Sequence, residues 1–369
     1  MLAGRFNELR RAYARDGRLY QLHLDLLTAC DLDCQHCYLD ERGAERQLPT
    51  SFWKDVISQA GEMEVFAVQL SGGEVTLRRD LLELIAHARR QGLFVHLKTH
   101  GGHVDPALAR ALVELGVATV AVSYYSHRAE THDAITRRPG SHAATRAGIE
   151  ALVEAGALVV VACSVMRENA ADVEGLAADC DALGVTLSLD GRLTPTHGGA
   201  TAPADDHGLT AAELARVFAF DARRAQGDAC AVEPAGEPAP APASAGGRDD
   251  GWGQETLCAA GHLSLYVTAT GLVTPCVSWP MPVGDLKRER LQDIWAGSPG
   301  LARVRSYRRE QRGDCVGCSL RRDCEHCPGQ AWLEHGDPLR STPTLCTVAQ
   351  GRVAATRLLS SALGEGPAE

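Results

Sequence analysis

No stretch of this sequence is long and apolar enough to cross a bilayer; the longest candidate, residues 157–165, falls well short of the about 20 residues a spanning helix needs. Positive charge is not in surplus either. Lys and Arg number 37 against 47 Asp and Glu, a formal net charge of -10, and no basic stripe is present of the kind that displaces counterions from nucleic acid. A secretory signal is missing, because the first sixteen residues mix Arg5, Arg10, Arg11 and Arg15 with Glu8 and have no continuous apolar core. No unit of fixed length repeats. These absences argue against a membrane protein, a nucleic-acid binder, an exported protein and a repeat array, and predict a soluble, cytoplasmic chain.

Apolar residues make up 45% of the 369, enough for one large core and a smaller one. Between residues 20 and 193, short apolar runs alternate with amphipathic stretches of helical period, the pattern of repeated βα units around a parallel sheet. Six strands are expected, at 21–27, 65–70, 94–99, 119–123, 158–164 and 185–189. Asp105-Pro106 is expected to open a helix that Gly116 closes, and Ser141 to cap another that ends at Gly156. A further helix begins at Thr210, whose side chain and Glu213 can form a capping box ahead of Leu214, Val217 and Phe218. The run EPAGEPAPAPASAGG (233–247) has too little apolar content to offset its ordering entropy; it predicts a mobile linker and a domain boundary. From Leu257 onward the chain is cysteine-rich and short of regular periodicity, as expected where metal replaces a hydrophobic core.

Thirteen cysteines would suggest disulfides in an exported chain. Here ten of them fall into an N-terminal trio and a C-terminal group of seven, and such clustering indicates metal. The segment CDLDCQHCY places Cys30, Cys34 and Cys37 on a loop at the C-terminal end of the first strand, where barrel folds keep their chemistry. A [4Fe–4S] cube takes four thiolates, so three within eight residues leave one iron open to an external ligand. Zinc with a distant fourth ligand is the alternative. The next strand ends in Ser71-Gly72-Gly73-Glu74; two glycines let the backbone approach a ligand closely, and the Glu74 carboxylate can accept hydrogen bonds from an ammonium.

The CxxxCxxC spacing followed by the aromatic Tyr38 resembles the defining motif of the radical S-adenosylmethionine (SAM) superfamily. The resemblance implies a partial (β/α)6 TIM-like barrel in which Gly72, Gly73 and Glu74 hold the methionyl amino group and Tyr38 lies at the cofactor. Lys98 to Gly102, KTHGG, matches the superfamily's Thr-Asn-Gly segment with His100 in place of Asn, so no cofactor role is assigned to that side chain. Ser123 stands where relatives contact the ribose or carboxylate, with His132-Asp133 at the following helix start and Tyr124-Tyr125-Ser126 where relatives often have Leu-Asp-Gly. Ser164 and Asn169 fall in the same cofactor-facing region, and read equally well as polar residues of a strand-end turn.

After the linker come Cys258, Gly271, Cys276, Cys315, Cys318, Cys324, Cys327 and Cys346. Their order, with the stretch VGDLKRERLQDIW between the halves, resembles the SPASM domain of peptide-maturing radical enzymes, although two residues separate Cys324 from Cys327 where three are usual. The family's interleaved ligation implies one auxiliary cluster on Cys315, Cys318, Cys324 and Cys346, and an inner one on Cys258, Cys276 and Cys327. Near the missing eighth cysteine stand His262 and Ser264 instead. A zinc ribbon using Cys315, Cys318, Cys324 and Cys327 is the alternative. Cys163 and Cys180 are expected as buried small apolar groups, and Cys230 borders the linker without an assigned role. The resulting division is an extension at 1–19, the core barrel at 20–230, a linker at 231–254, the SPASM domain at 255–350 and a terminal helix and tail at 351–369.

The resemblance further implies S-adenosylmethionine and three [4Fe–4S] clusters, one in the core and two auxiliary, fed by an external one-electron reductant of flavodoxin or ferredoxin type. Its implied substrate is a ribosomally made peptide that is crosslinked or oxidised. A dehydrogenase or epimerase of a small sugar or aminocyclitol is the alternative enzyme, and a zinc scaffold the non-enzymatic one. A sulfatase maturase would carry an acidic base after the inner-cluster cysteine, where this chain has Val277-Ser278. About twenty residues precede the barrel, too few for a leader-binding winged helix, so a leader would need a separate binding protein. No catalytic base is assigned.

Overall fold

The computed structural model describes residues 2–40, 47–227 and 254–362; Cys230 and the 233–247 linker lie outside the described residues. Helix α1 (Leu2–Arg15) precedes β1 (Gln21–Asp25), and the βα alternation continues through α2 (Thr50–Glu62), β2 (Ala67–Ser71), α3 (Leu81–Arg90), β3 (Phe94–Thr99), α4 (Pro106–Glu114) and β4 (Thr119–Ser123). Two helices, α5 (Ala129–Thr136) and α6 (Ser141–Glu154), lead to β5 (Val159–Ser164), and α7 (Val173–Leu183) leads to β6 (Thr186–Asp190). All six strands are parallel and neighbours in chain order, as the sequence predicts. β3 and β4 have the expected bounds, and the ends of the other four strands shift by one or two residues.

Alternation along these strands sorts the side chains. Leu22, Leu24, Val68, Leu70, Val95, Leu97, Val120 and Val122 are buried in one core with Trp53, Ile57, Leu84, Ile85, Leu112, Ile149 and Leu152 from the covering helices. The opposite phase is polar. His23, Gln69, His96 and Thr119 stand in register across four strands, and Asp25 and Ser71 form the next row. One sheet face is therefore sealed by helices and the other is lined with hydrogen-bonding groups.

Asp105 caps α4 by accepting from the Leu108 amide at 2.7 Å, and Thr210 and Glu213 form the expected capping box at 2.8 and 3.3 Å. Ser141 does not cap its helix. Its hydroxyl meets Thr136 and Asp133 at 2.7 and 2.9 Å, and Asp133 itself, in the middle of α5, accepts from the Gly140 and His142 amides at 2.6 and 2.8 Å. A carboxylate supplied by one helix thus caps the next. His132 and Asp133 consequently lie within α5, not at its start.

The C-terminal third corrects the expectation of little regular structure. After α8 (Ala202–His207) and α9 (Ala211–Gly227), strand β7 (Ser264–Val267) pairs in parallel with β1, Gln21 opposite Ser264, and β8 (Leu272–Thr274) and β9 (Gly284–Asp285) extend it antiparallel. The sheet has nine strands in the order β6-β5-β4-β3-β2-β1-β7-β8-β9. Gly271 turns the β7–β8 hairpin at φ +85°, a conformation that favours glycine. Four helices follow, α10 (Leu291–Gly297), α11 (Pro299–Ser306), α12 (Pro328–His335) and α13 (Pro343–Ala362). The last runs across the boundary expected at 350/351 and packs along α9, with Arg352 over the Phe218 ring.

Candidate metal centres and active site

The Cys30–Cys37 loop leaves the C-terminal end of β1 and docks on the end of α5, whose last carbonyls have no partner within the helix. Asp33 and Gln35 amides donate to Thr136 and Ile135 carbonyls at 3.1 and 3.0 Å, and Gln35 Nε2 donates to Ala134 at 3.1 Å. All three cysteines are half-buried, and none is in a disulfide. Burial pushes the Cys30 thiol up to about 11, with Glu74, Asp31 and Cys37 adding negative field. Tyr125, buried beneath the loop, feels the fields of Cys34 and Cys37 and packs with Cys34, Met166 and Leu193. Its neighbour Tyr124 turns the other way, to His142 at 2.8 Å and Asp179 at 3.2 Å.

Gly72 and Gly73 permit close approach to the cysteine loop itself. The Gly73 and Glu74 amides donate to Leu27 and Ala29 carbonyls at 2.8 Å each, and a Cβ on Gly73 would lie 2.3 Å from the Ala29 oxygen. Glu74 is fully buried. Its Oε1 accepts from the Thr76 amide (3.0 Å), Thr76 Oγ1 (2.6 Å) and Thr99 Oγ1 (2.6 Å), and Oε2 from the His100 amide (2.8 Å). The motif therefore clamps the ends of β2 and β3 to the loop. Asp31, beside Cys30, receives His100 Nε2 at 2.9 Å and His103 Nε2 at 3.2 Å, a cluster the sequence reading passed over although Asp31 lies inside the cysteine motif.

Asp25, at the end of β1, is the other site residue missed. Its Oδ2 accepts from Tyr38 at 3.2 Å and from Tyr266 of β7, and its Oδ1 faces His23 Nε2 at 3.3 Å. His197 packs on Tyr38 with ring centroids 4.9 Å apart and meets the Val277 carbonyl at 2.8 Å, next to Cys276. A buried polar chain thus joins the N-terminal cysteine loop to the C-terminal region. Ser123 reaches Tyr125, while Asn169 is fully buried and spends its amide on the Tyr125 and Ser164 carbonyls at 2.8 and 3.0 Å, which is the turn-polar role.

Cys315, Cys318, Cys324 and Cys346 line one cavity with Arg312, whose guanidinium donates to Cys315 Sγ at 3.1 Å. Cys327 does not line it. It shares the field of Cys258, together with Cys276 and Arg192. Burial raises the Cys258, Cys315 and Cys346 thiols, and a bound cation would favour their thiolates. The charged groups facing His262 are Arg305 and Arg308, and burial holds its ring down to about 4. Cys163 and Cys180 are buried in the core as expected. None of the twelve described cysteines is in a disulfide, which fits metal and not a disulfide framework.

Parallel strands carrying a three-cysteine loop at their C-terminal end, continued by a cysteine-rich sheet extension, define a partial barrel of the iron–sulfur radical type. The radical SAM superfamily profile matches residues 25–180, and that of the SPASM iron–sulfur cluster-binding domain matches residues 258–328. The chain belongs to the radical SAM superfamily and carries a SPASM domain. It is 26% identical to an AdoMet-dependent heme synthase of Methanosarcina barkeri, covering 86% of this chain and 94% of that protein. Against mycofactocin maturase MftC of Mycobacterium ulcerans the identity is 28%, covering 89% and 87%. The fold is similar to that of Streptococcus suis SuiB bound to its precursor peptide SuiA, with a TM-score of 0.71, 16% identity and coverage of 92% and 79%. It is also similar to anSMEcpe with bound AdoMet and the Kp18Cys peptide, at 0.68, 13%, and 94% and 99%. Among the described residues no helix is long and apolar enough to cross a membrane.

Proposed function

We propose that this enzyme is a peptide maturase that oxidises or crosslinks a ribosomally made peptide, using three [4Fe–4S] clusters. The observation that carries the reading is the sorting of ten cysteines into three groups, with the Cys258–Cys276–Cys327 group joined to the first loop through Tyr266, Asp25 and Tyr38. On this reading Cys30, Cys34 and Cys37 hold the first cluster, Cys258, Cys276 and Cys327 an inner auxiliary one with an open iron, and Cys315, Cys318, Cys324 and Cys346 an outer one. The donor set fits, since ten thiols gathered at three sites suit iron–sulfur chemistry.

S-adenosylmethionine would lie over the first site against Gly72, Gly73, Glu74, Tyr38, Ser123 and Ser164. When bound, cluster and S-adenosylmethionine together supply a one-electron cleavage whose carbon radical takes hydrogen from the substrate. The chain's own part is to position and to dry the site. Tyr125, Met166 and Leu193 close the space behind Cys34 against water, and the polar wall of His23, Gln69, His96 and Thr119 offers hydrogen bonds that orient a peptide segment. On this reading Cys258, Cys276 and Cys327 would hold a group able to accept the electron released on oxidation, and Tyr38, Asp25 and Tyr266 link the first loop towards it. A flavodoxin- or ferredoxin-type donor and the oxygen sensitivity of exposed clusters suit the cytoplasm, with a separate protein presenting any leader.

Relatives named as heme synthases, which this chain matches over most of its length, support a second reading with a tetrapyrrole substrate. The experiment supplies both. The anaerobically reconstituted protein, expected to hold about 12 irons with equal sulfide, is reduced with S-adenosylmethionine and either a precursor peptide from any short reading frame found beside its gene or an iron porphyrin. Formation of 5′-deoxyadenosine with a mass change in the peptide supports the maturase. A change in the porphyrin alone overturns it for the second reading, and stoichiometric zinc without sulfide overturns both.

A further inference from the structure

We propose that His100 is a positioning residue for the first cluster: its Nε2 holds the Asp31 carboxylate beside the Cys30 sulfur, and that carboxylate sets the reduction potential of the group bound by Cys30, Cys34 and Cys37. The inference rests on those three cysteines holding an iron–sulfur cluster.

The His100 ring has one available tautomer. Its Nδ1 accepts from the Gly102 amide at 3.0 Å, which leaves the proton on Nε2, and Nε2 points at Asp31 Oδ1 at 2.9 Å with Glu74 Oε2 3.4 Å away. The residue is 8% exposed and fixed at both backbone ends, the amide by Glu74 at 2.8 Å and the carbonyl by Thr145 at 2.8 Å. Asp31 is held from its other oxygen by His103 Nε2 at 3.2 Å. One ligand atom each from Cys30, Asp31 and His100 lies within 4.8 Å of the others.

A carboxylate at that distance from a cluster sulfur opposes the extra negative charge that reduction brings, and hydrogen bonds donated to the carboxylate temper that opposition. Asparagine, which the family resemblance sets at this position, is too short to do both jobs. Its amide oxygen can replace Nδ1 towards Gly102, but nothing in it reaches Asp31. Glutamine places its amide nitrogen near Nε2. The two substitutions therefore separate the turn from the carboxylate contact.

The test uses full-length protein reconstituted anaerobically, with no substrate added. The first cluster's signal is identified by its change when S-adenosylmethionine is added, and its potential is read by EPR-monitored redox titration in wild type, Asp31→Asn, His100→Asn and His100→Gln. Asp31→Asn is expected to shift the potential positive, because a negative charge is gone. His100→Asn is expected to shift it negative, because His103 keeps the carboxylate in place with less compensation, while His100→Gln stays with wild type. Iron content is expected to be equal in all four. Equal potentials across the set, or His100→Gln following His100→Asn, overturn the inference. A wild-type chain that takes up no iron overturns instead the reading of the cysteines, and iron analysis tells the two failures apart.

Discussion

At the scale of single residues, the site depends on groups whose surroundings leave them no second arrangement. Gly73 lies against two carbonyls, with the Thr28 oxygen 2.4 Å and the Ala29 oxygen 2.3 Å from where a Cβ would sit, and both are backbone atoms that cannot rotate away. Gly73→Ala is expected to cost about 1–3 kcal/mol and to lower iron at the first site, read by urea unfolding and iron analysis. His96 on the sheet's polar face is held down to about 4 and His132 in α5 to about 3, in each case chiefly by burial. Folded-state values below the ordinary 6.5 mean that the unfolded chain binds the extra protons first as pH falls. Stability is therefore complete above pH about 6.5 and is lost on acidification towards pH about 4. The urea midpoint is expected to drop between pH 7 and pH 5, and to drop less in His132→Gln. The cysteine motif was legible from its spacing, whereas Gly72 and Gly73, read as an approach to a ligand, lie against the Leu27, Thr28 and Ala29 carbonyls. Asp31, His100 and Asp25 were not legible, because their importance comes from partners 69 and 241 residues distant, which no local pattern encodes.

At the scale of elements, the parallel strands declared themselves through apolar runs alternating with amphipathic stretches. The cap of α6 did not. Ser141 has the right chemistry at nearly the right place, yet Asp133 from the preceding helix reaches three donors there. Asp133→Ala is expected to cost about 1–2 kcal/mol, measured by denaturant unfolding, while Ser141→Ala costs less. Strands β7 to β9 escaped notice because they are two to four residues long, too short for alternation to register. Tyr266 nevertheless ties β7 to β1 through buried Asp25. Tyr266→Phe removes one of two hydroxyl donors to that carboxylate, and a cost of about 1–3 kcal/mol is expected in thermal or urea unfolding.

For the molecule as a whole, a single sheet runs from the barrel into the cysteine-rich region, and α13 returns to lie on α9. Arg352 of α13 pairs with Glu325, which stands between Cys324 and His326, and also covers the Phe218 ring of α9. A chain ending at Thr342 is expected to lose both Cys346 and the cover over Leu214, Ala215 and Phe218. The measurable results are lower iron at the outer site and aggregation on gel filtration, with the first site's S-adenosylmethionine-sensitive EPR signal retained.

The pairing of β1 with β7 also bears on how the chain is made. Strand β1 cannot acquire its second flank until Ser264 has been synthesised, so the nascent barrel carries a bare, hydrogen-bonding rim at β1 until then. Slow elongation or low temperature during expression lengthens that exposure yet weakens hydrophobic association, and chaperones able to shield strand edges should raise the soluble yield of this protein more than that of a barrel completed within its N-terminal half.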